Sequence, residues 1–216
     1  MRRRRVGVLI SGRGSNMAAL IAAAASADYP AQIVTVLSNR PNAAGLDHAR
    51  AAGIATKAID HKAHRDRAGF DAALDAALQE AGVEIVCLAG FMRLLTPGFT
   101  ERWEGRMINI HPALLPSFKG LDTHARALAA GVRLHGCTVH FVTSEMDAGP
   151  IIMQAAVPVL DADTADTLGA RVLAQEHVIY PAALRLICEG RARLDDGRVR
   201  IDDHGTGGRA LVAPAA

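Results

Sequence analysis

Cysteine is scarce in this chain: Cys87, Cys137 and Cys188 are the three present, far apart and without metal-ligand spacing. No disulfide framework follows, and a reducing cytoplasm is the expected setting. Long apolar runs are missing too; none reaches the roughly 20 residues needed to cross a bilayer, so no membrane association is expected. The opening Met1–Arg5 followed by Val6–Ile10 mimics a signal peptide, but the apolar run stops at Ser11-Gly12, too short for a signal core. There is no internal repeat, no low-complexity linker and no Cys-x-x-Cys or His-x-x-x-His pair. His61 and His64 lie close in a polar loop without a third ligand, so no metal is expected. No Gly-x-Ser-x-Gly elbow occurs and Ser11 has no neighbouring base, which leaves serine nucleophilic catalysis poorly supported.

What the sequence does contain is a balanced globular composition. Its 216 residues are 50% apolar and 21% charged, with a formal net charge of +2. That length suits one domain with a full core. Four of the positive charges fall together at Arg2–Arg5; they read as a solvated flank of the first strand rather than a nucleic-acid arm.

Short apolar runs alternate with segments of helical period. Strands are expected at Val6–Ile10, Ile33–Leu37, Ala55–Ile59, Val83–Ala89 and Met107–Ile110. Helices are expected at Asn16–Ala25, Ala43–Ala52 and Arg67–Ala81, the last with Phe70, Ala73, Leu74, Ala77 and Leu78 on one face and Gly82 as its stop. Strands apolar throughout and separated by helices imply a mostly parallel, doubly wound α/β sheet covered on both faces. Thr138–Val142 and Pro150–Val159 then form a strand pair joined by a turn at Asp147–Pro150, and Thr164–Cys188 a long final helix, with Pro181 a candidate bend. The expected domain runs over 1–190. From Arg191 the pattern weakens, so 191–216 is read as a partly disordered extension, frayed after His204.

Two places carry chemistry. The first is Ser11-Gly12-Arg13-Gly14-Ser15-Asn16, after a strand and at a helix start. Glycines allow close backbone approach, and the helix start offers free amide donors with a favourable dipole, so a phosphate is a natural occupant. A dinucleotide site is an alternative, but Met17 stands where the third glycine belongs and Ser38-Asn39-Arg40 lacks the ribose-binding acid. A structural turn with Ser15 or Asn16 as helix cap remains a third reading.

The second is Asn109-Ile110-His111-Pro112, at the end of a buried strand. Alternation points Asn109 and His111 to the same side, and Pro112 turns the chain out of the sheet. An uncharged amide donor and an imidazole side by side suit an oxyanion and its proton; a histidine that merely finishes a strand is the plainer alternative. Asp147, on the tight turn before Gly149-Pro150, could hold an imidazolium, but spacing alone does not bring residues 36 positions apart together.

In combination these motifs resemble the phosphoribosylglycinamide formyltransferases of the folate-dependent formyltransferase family. The resemblance runs in order from Val6 to Glu189, through Leu9–Asn16, Leu88–Leu95, Asn109–Pro116, Gly136–Val142, Asp147–Ile151, Gln175–His177 and Tyr180-Pro181. It implies a Rossmann-like formyltransferase domain, with ribonucleotide binding in its first half and folate binding and catalysis in its second. It implies transfer of a formyl group from 10-formyltetrahydrofolate, as co-substrate, to glycinamide ribonucleotide, and leaves a homodimer open. On matching positions, Asn109, His111 and Asp147 become the catalytic set. Gly14, Ser15, Asn16 and Glu176 bind the ribonucleotide. Arg67, Met92, Arg93, Leu94 and Leu95, with Asn109 and Asp147, bind folate. Read without the resemblance, Glu176 is a helix-surface glutamate, the 92–95 stretch an apolar strand-to-loop transition, and Arg67 a solvated charge that slightly opposes its helix dipole. Arg13 departs from the small or polar residue expected in the first loop, and Ser117-Phe118 is less familiar; neither touches the catalytic set.

Relatives of the same chemistry are distinguished by extra domains. With the first strand at Val6, no N-terminal regulatory domain of the formyltetrahydrofolate deformylases is expected. With the chain ending soon after the last helix, no tRNA-binding domain of the methionyl-tRNA formyltransferases is expected either. A non-catalytic nucleotide-binding module is the alternative from another class.

Overall fold

The computed structural model describes residues 2–202 and 213. In chain order it holds β1 (Arg4–Ile10), α1 (Ser15–Ala24), β2 (Ala31–Ser38), α2 (Gly45–Ala51), β3 (Ala55–Ala58), α3 (Arg67–Glu80), β4 (Ile85–Leu88), α4 (Pro97–Arg102), β5 (Met107–His111), α5 (Thr123–Ala129), β6 (Leu134–Phe141), β7 (Ile151–Pro158), α6 (Ala165–Cys188), β8 (Ala192–Asp195) and β9 (Arg198–Ile201). Seven strands make one sheet in the order β3-β2-β1-β4-β5-β6-β7. The first five are mutually parallel; β6 and β7 join antiparallel. This is the mostly parallel α/β sheet that the alternating pattern implies, with the antiparallel pair at its later edge.

The parallel strands are apolar on both faces because both are covered. On β1, Val6, Val8 and Ile10 face one layer with Met17 and Leu20 of α1, Leu46 of α2, Ala127 of α5 and Leu168, Val172 and Tyr180 of α6. Leu9 faces the other layer, with Phe70, Leu74 and Leu78 of α3 and Phe99 of α4. Each such buried leucine contributes about 2 kcal/mol of transfer free energy. Tyr180 is fully buried, and its hydroxyl donates to Leu88 O at 2.9 Å, so a polar atom in the core stays satisfied. The helix α6 runs on through Pro181. No helix among the described residues is long and apolar enough to cross a membrane.

Three expectations need correcting. The arginine run is only partly a solvated flank: Arg2 and Arg5 are exposed, Arg3 and Arg4 half-buried. Arg4 and Arg5 lie in β1; Arg3 donates to the carbonyls of Ala24 and Ala31, Arg5 to those of Ala81 and Gly82, and Arg2 and Arg4 pair with Glu84 at 3.2 and 3.3 Å. Their guanidiniums fasten the first strand to its neighbours. Second, the extension from Arg191, where the pattern weakens, carries two strands that were not expected: β8 and β9 pair as a hairpin whose Ala192 is buried against the core. Its length of four residues per strand gives too little alternation to read. The tail after His204 lies outside the described residues, apart from 213. Third, α4 and α5 are additional helices, of six and seven residues, too short for a 3.6-residue period to show. For α4 a capping signal was present: the Thr96 side chain accepts from Phe99 N, and Pro97 sits at the first helical position.

The strand order reverses between β1 and β4, since β1 connects onward to β2 on one side while β4 continues to β5 on the other. In open α/β sheets such a switch leaves a crevice beyond the carboxyl ends of the strands. Here it is flanked by the start of α1 and the loop after β4.

Candidate active site

A cavity of about 740 Å³ opens at this crevice. Its wall includes Asn16, Met92, Arg93, Leu94, Leu95, Asn109, His111, Asp147 and Glu176, nine of the residues singled out from sequence. Gly14 and Ser15 are not part of the wall, though they directly precede Asn16. Arg67 is exposed at the first turn of α3, away from the wall. Met92, Leu94, Leu121 and Met146 expose more than half of their surface at the cavity, an apolar lip unusual for a soluble surface.

Three chain segments build the polar centre. His111, 5% exposed, ends β5. Its Nδ1 lies 3.4 Å from Asp147 Oδ2 and its Nε2 3.0 Å from the Phe118 carbonyl. Both ring nitrogens thus face oxygen acceptors, one on a carboxylate and one on the main chain. Asp147 reaches it across the chain because of its turn. Asp147 has φ of 51°, and its Oδ2 also accepts from Gly120 N at 2.8 Å. The turn is tight: a Cβ on Gly149 would stand 1.7 Å from the Phe141 carbonyl oxygen, so only glycine fits there. Phe141 N donates to Pro150 O, closing the hairpin on the same spot.

Asn109 stands opposite His140 in the β5–β6 register. The Nδ1–H of His140 donates to the Phe141 carbonyl at 2.8 Å, leaving Nε2 to accept from Asn109 Nδ2 at 3.3 Å. Burial holds the His140 pKa below the usual histidine range, partly offset by the Phe141 carbonyl and by Asp147, so the ring is the neutral acceptor this bond requires. One amide hydrogen of Asn109 is thereby directed at His140, and the second hydrogen on the same nitrogen is left for another acceptor. His140 belongs to the site yet carries no local signal; only the cross-strand register reveals it. His124 on α5 also joins the wall. Its Nδ1 is 3.2 Å from Nε2 of His135, a buried ring whose pKa burial pushes down to about 4.

At the other side of the cavity, α1 begins at Gly14, with φ of 74° and no side-chain cap. Neither Ser15 nor Asn16 caps the helix: Ser15 is exposed, and Asn16 Nδ2 donates to Glu176 Oε2 at 2.6 Å. The first-turn amides therefore stay available to an anion. Met17 is fully buried at the position where a dinucleotide fold needs glycine. Glu176 is 6% exposed, not a surface residue, and burial raises its pKa against the lowering effect of the Asn16 bond. A carboxylate and a carboxamide thus meet beside the helix start, 160 positions apart in the chain. Among the described residues no three His, Cys, Asp or Glu side chains gather to hold a metal ion.

Similarity to known proteins fits this geometry. Residues 4–184 match the formyl transferase family. The chain is 53% identical over 196 residues to the trifunctional purine biosynthetic protein adenosine-3 of Bos taurus; the match covers 90% of this chain but only 19% of that protein, about a fifth of its length. It is 44% identical over 195 residues to the phosphoribosylglycinamide formyltransferase of Escherichia coli (strain K12), covering 90% of this chain and 92% of that one. The crystal structure of glycinamide ribonucleotide transformylase 1 from Symbiobacterium toebii superposes with a TM-score of 0.90 at 49% identity, over 93% of this chain and 95% of that one. An amide, a buried imidazole and a carboxylate at a switch-point cavity, on a chain matched along most of its length, lead to one assignment: this chain belongs to the formyl transferase family, and the phosphoribosylglycinamide formyltransferases are relatives that it spans nearly end to end.

Proposed function

We propose that this chain transfers a formyl group from 10-formyltetrahydrofolate to the amine of glycinamide ribonucleotide, giving formylglycinamide ribonucleotide and tetrahydrofolate in purine synthesis. The observation that carries this reading is the meeting of Asn109, His111 and Asp147 on one cavity wall, with Asn16 and Glu176 on another part of it. The cavity volume falls within the roughly 300–1,000 Å³ usual for small-molecule sites.

In this reading the phosphate sits on the first-turn amides of α1, at Gly14, Ser15 and Asn16, and Glu176 accepts from the ribose hydroxyls. The folate enters over Met92, Arg93, Leu94 and Leu95. Arg67, one turn before the Phe70 ring that lies under the Arg93 guanidinium, is placed to meet only a tail that leaves the cavity. The substrate amine attacks the formyl carbon directly, and no covalent enzyme intermediate forms. Asn109 donates its free amide hydrogen to the oxyanion, and the positive charge on His111, held by Asp147, stabilises it. Asp147 relays the amine proton through water as the folate nitrogen takes a proton and leaves. His140 keeps the Asn109 amide pointed the right way.

Mixing the chain with both compounds tests this. The expected result is the absorbance change that accompanies tetrahydrofolate formation, dependent on the ribonucleotide. Ribonucleotide binding without that change would make the chain a nucleotide-binding module, and folate deformylation without ribonucleotide would make it a hydrolase.

A further inference from the structure

Ser11, which has no base beside it, still has a task. It follows β1 and immediately precedes Gly12–Asn16, and it is 3% exposed. Its hydroxyl donates to Asn39 Oδ1 at 2.5 Å and accepts from Met92 N at 2.8 Å, while its own N–H donates to the Gly90 carbonyl at 3.2 Å. Asn39 is itself 2% exposed, with its backbone carbonyl 2.9 Å and its side-chain Nδ2 3.4 Å from His61 Nδ1, so the acceptor for Ser11 is restrained by burial and by its own second contact. The hydroxyl therefore has a fixed direction: its hydrogen goes to Asn39 and its lone pair to Met92.

Met92 opens the segment Met92–Leu95, which lines the cavity and belongs to no helix or strand. That segment is held at its two ends by side chains from elsewhere in the fold. Ser11 takes the amide of Met92, and Asp71, a buried residue of α3, takes the amide of Thr96 through Oδ2 at 2.7 Å. The two pins differ in where they lead. Asp71 belongs to a helix on the far layer of the core. Ser11 is continuous with the glycine loop that starts α1; its N–H reaches back to Gly90, ahead of the wall, and its hydroxyl is the link to the Met92–Leu95 wall itself.

We propose that Ser11 is a positioning residue that couples the two half-sites, so that an anion ordering the Gly12–Asn16 loop also orders the Met92–Leu95 wall, and the reverse. This rests on the functional reading above. Replacing Ser11 by alanine removes the acceptor from Met92 N and the donor from Asn39 together. Asp71→Asn weakens the other pin and leaves the coupling route intact.

The test is calorimetric titration of a non-reactive formyl-folate analogue into the full chain, with and without saturating glycinamide ribonucleotide, for wild type, Ser11→Ala and Asp71→Asn. Steady-state KM and kcat are measured alongside. In wild type the ribonucleotide tightens the analogue by about fivefold or more, the lower end of ordinary coupling between sites. Ser11→Ala weakens the analogue by about tenfold, the size of one lost hydrogen bond with an orphaned partner, raises folate KM more than it lowers kcat, and brings the ribonucleotide effect to unity. Asp71→Asn weakens the analogue but keeps the ribonucleotide effect. If Ser11→Ala fails to fold, Ser11→Cys, with a longer and weaker acceptor, takes its place and shows partial loss of coupling. Wild-type binding of both compounds without coupling, or coupling that survives in the Ser11 variant, overturns the proposal alone. Failure of the wild type to bind either compound overturns the functional reading first.

Discussion

The two sides of the cavity are made of different materials. On the β1–α1 side the donors are main-chain amides at a helix start, placed by Gly14 in a left-handed conformation. On the β5–β6 side the groups are side chains, each held by a partner distant in sequence: His111 by Asp147, Asn109 by His140, and Asp147 in turn by the main-chain N–H of Gly120. A backbone site depends on where glycine lets the chain go. A side-chain site depends on long-range pairing and fails when any holder is removed. The difference sets an expectation for substitution: exposed side chains on the first side should be dispensable, whereas on the second even a residue that touches no substrate should be needed.

Gly149→Ala breaks the contrast most severely. Its Cβ would collide with the Phe141 carbonyl, so the Asp147 turn must open; we expect a loss on the order of 3–4 kcal/mol in denaturant unfolding, the range reserved for such collisions, and kcat falling with it. Next comes Asn109→Ala, which removes one oxyanion donor and should lower kcat by about 10²–10³ at saturating substrates, with stability changed far less. Near-normal turnover would end the role given to this amide.

Glu176→Gln tests the one buried carboxylate on the backbone-built side. Ribonucleotide KM should rise about tenfold, the cost of one weakened charge-assisted bond, with kcat nearly kept. It also has a pH signature. Burial raises the folded pKa of Glu176 above its unfolded value, so its contribution to stability is full below the ordinary carboxylate range and is lost as pH rises through the raised folded value. The melting temperature of the glutamine variant should therefore rise relative to wild type across that window, since the buried histidines contribute equally to both. Smallest of all, Ser15→Ala and Arg67→Ala, both exposed, should each change KM by no more than about two- to threefold, the Arg67 effect appearing only with polyglutamylated folate and fading with added salt.

Legibility in the sequence follows the same division. The parallel half could be read because each strand is apolar over its length and each helix long enough to show a period; β1, β2, β4 and α3 fall within two residues of their expected limits. Gly14 and Met17 announced the helix start and argued against a dinucleotide. The antiparallel pair could also be read as two strands and a turn, although β6 starts at Leu134 rather than Thr138; its part in the site could be read only through motifs. Nothing local says that Asp147 lies against His111, 36 positions earlier, because a hairpin with a positive-φ turn makes that contact. The contacts of His140 and Ser11, which lie in quoted motifs without an assigned role, are hidden for the same reason: one acts through strand register, the other through a loop 81 positions away. The β8–β9 hairpin and the two short helices were missed because periodicity needs more residues than they have.

A crystal structure of the chain with glycinamide ribonucleotide and a non-reactive formyl-folate analogue bound together tests the central claim most directly. The account predicts the formyl oxygen about 3 Å from Asn109 Nδ2, with the His111 ring beside it and the substrate amine facing the carbon, the phosphate lying on the amides of Gly14–Asn16. A formyl group lodged away from Asn109 and His111, or a phosphate held elsewhere, would contradict it.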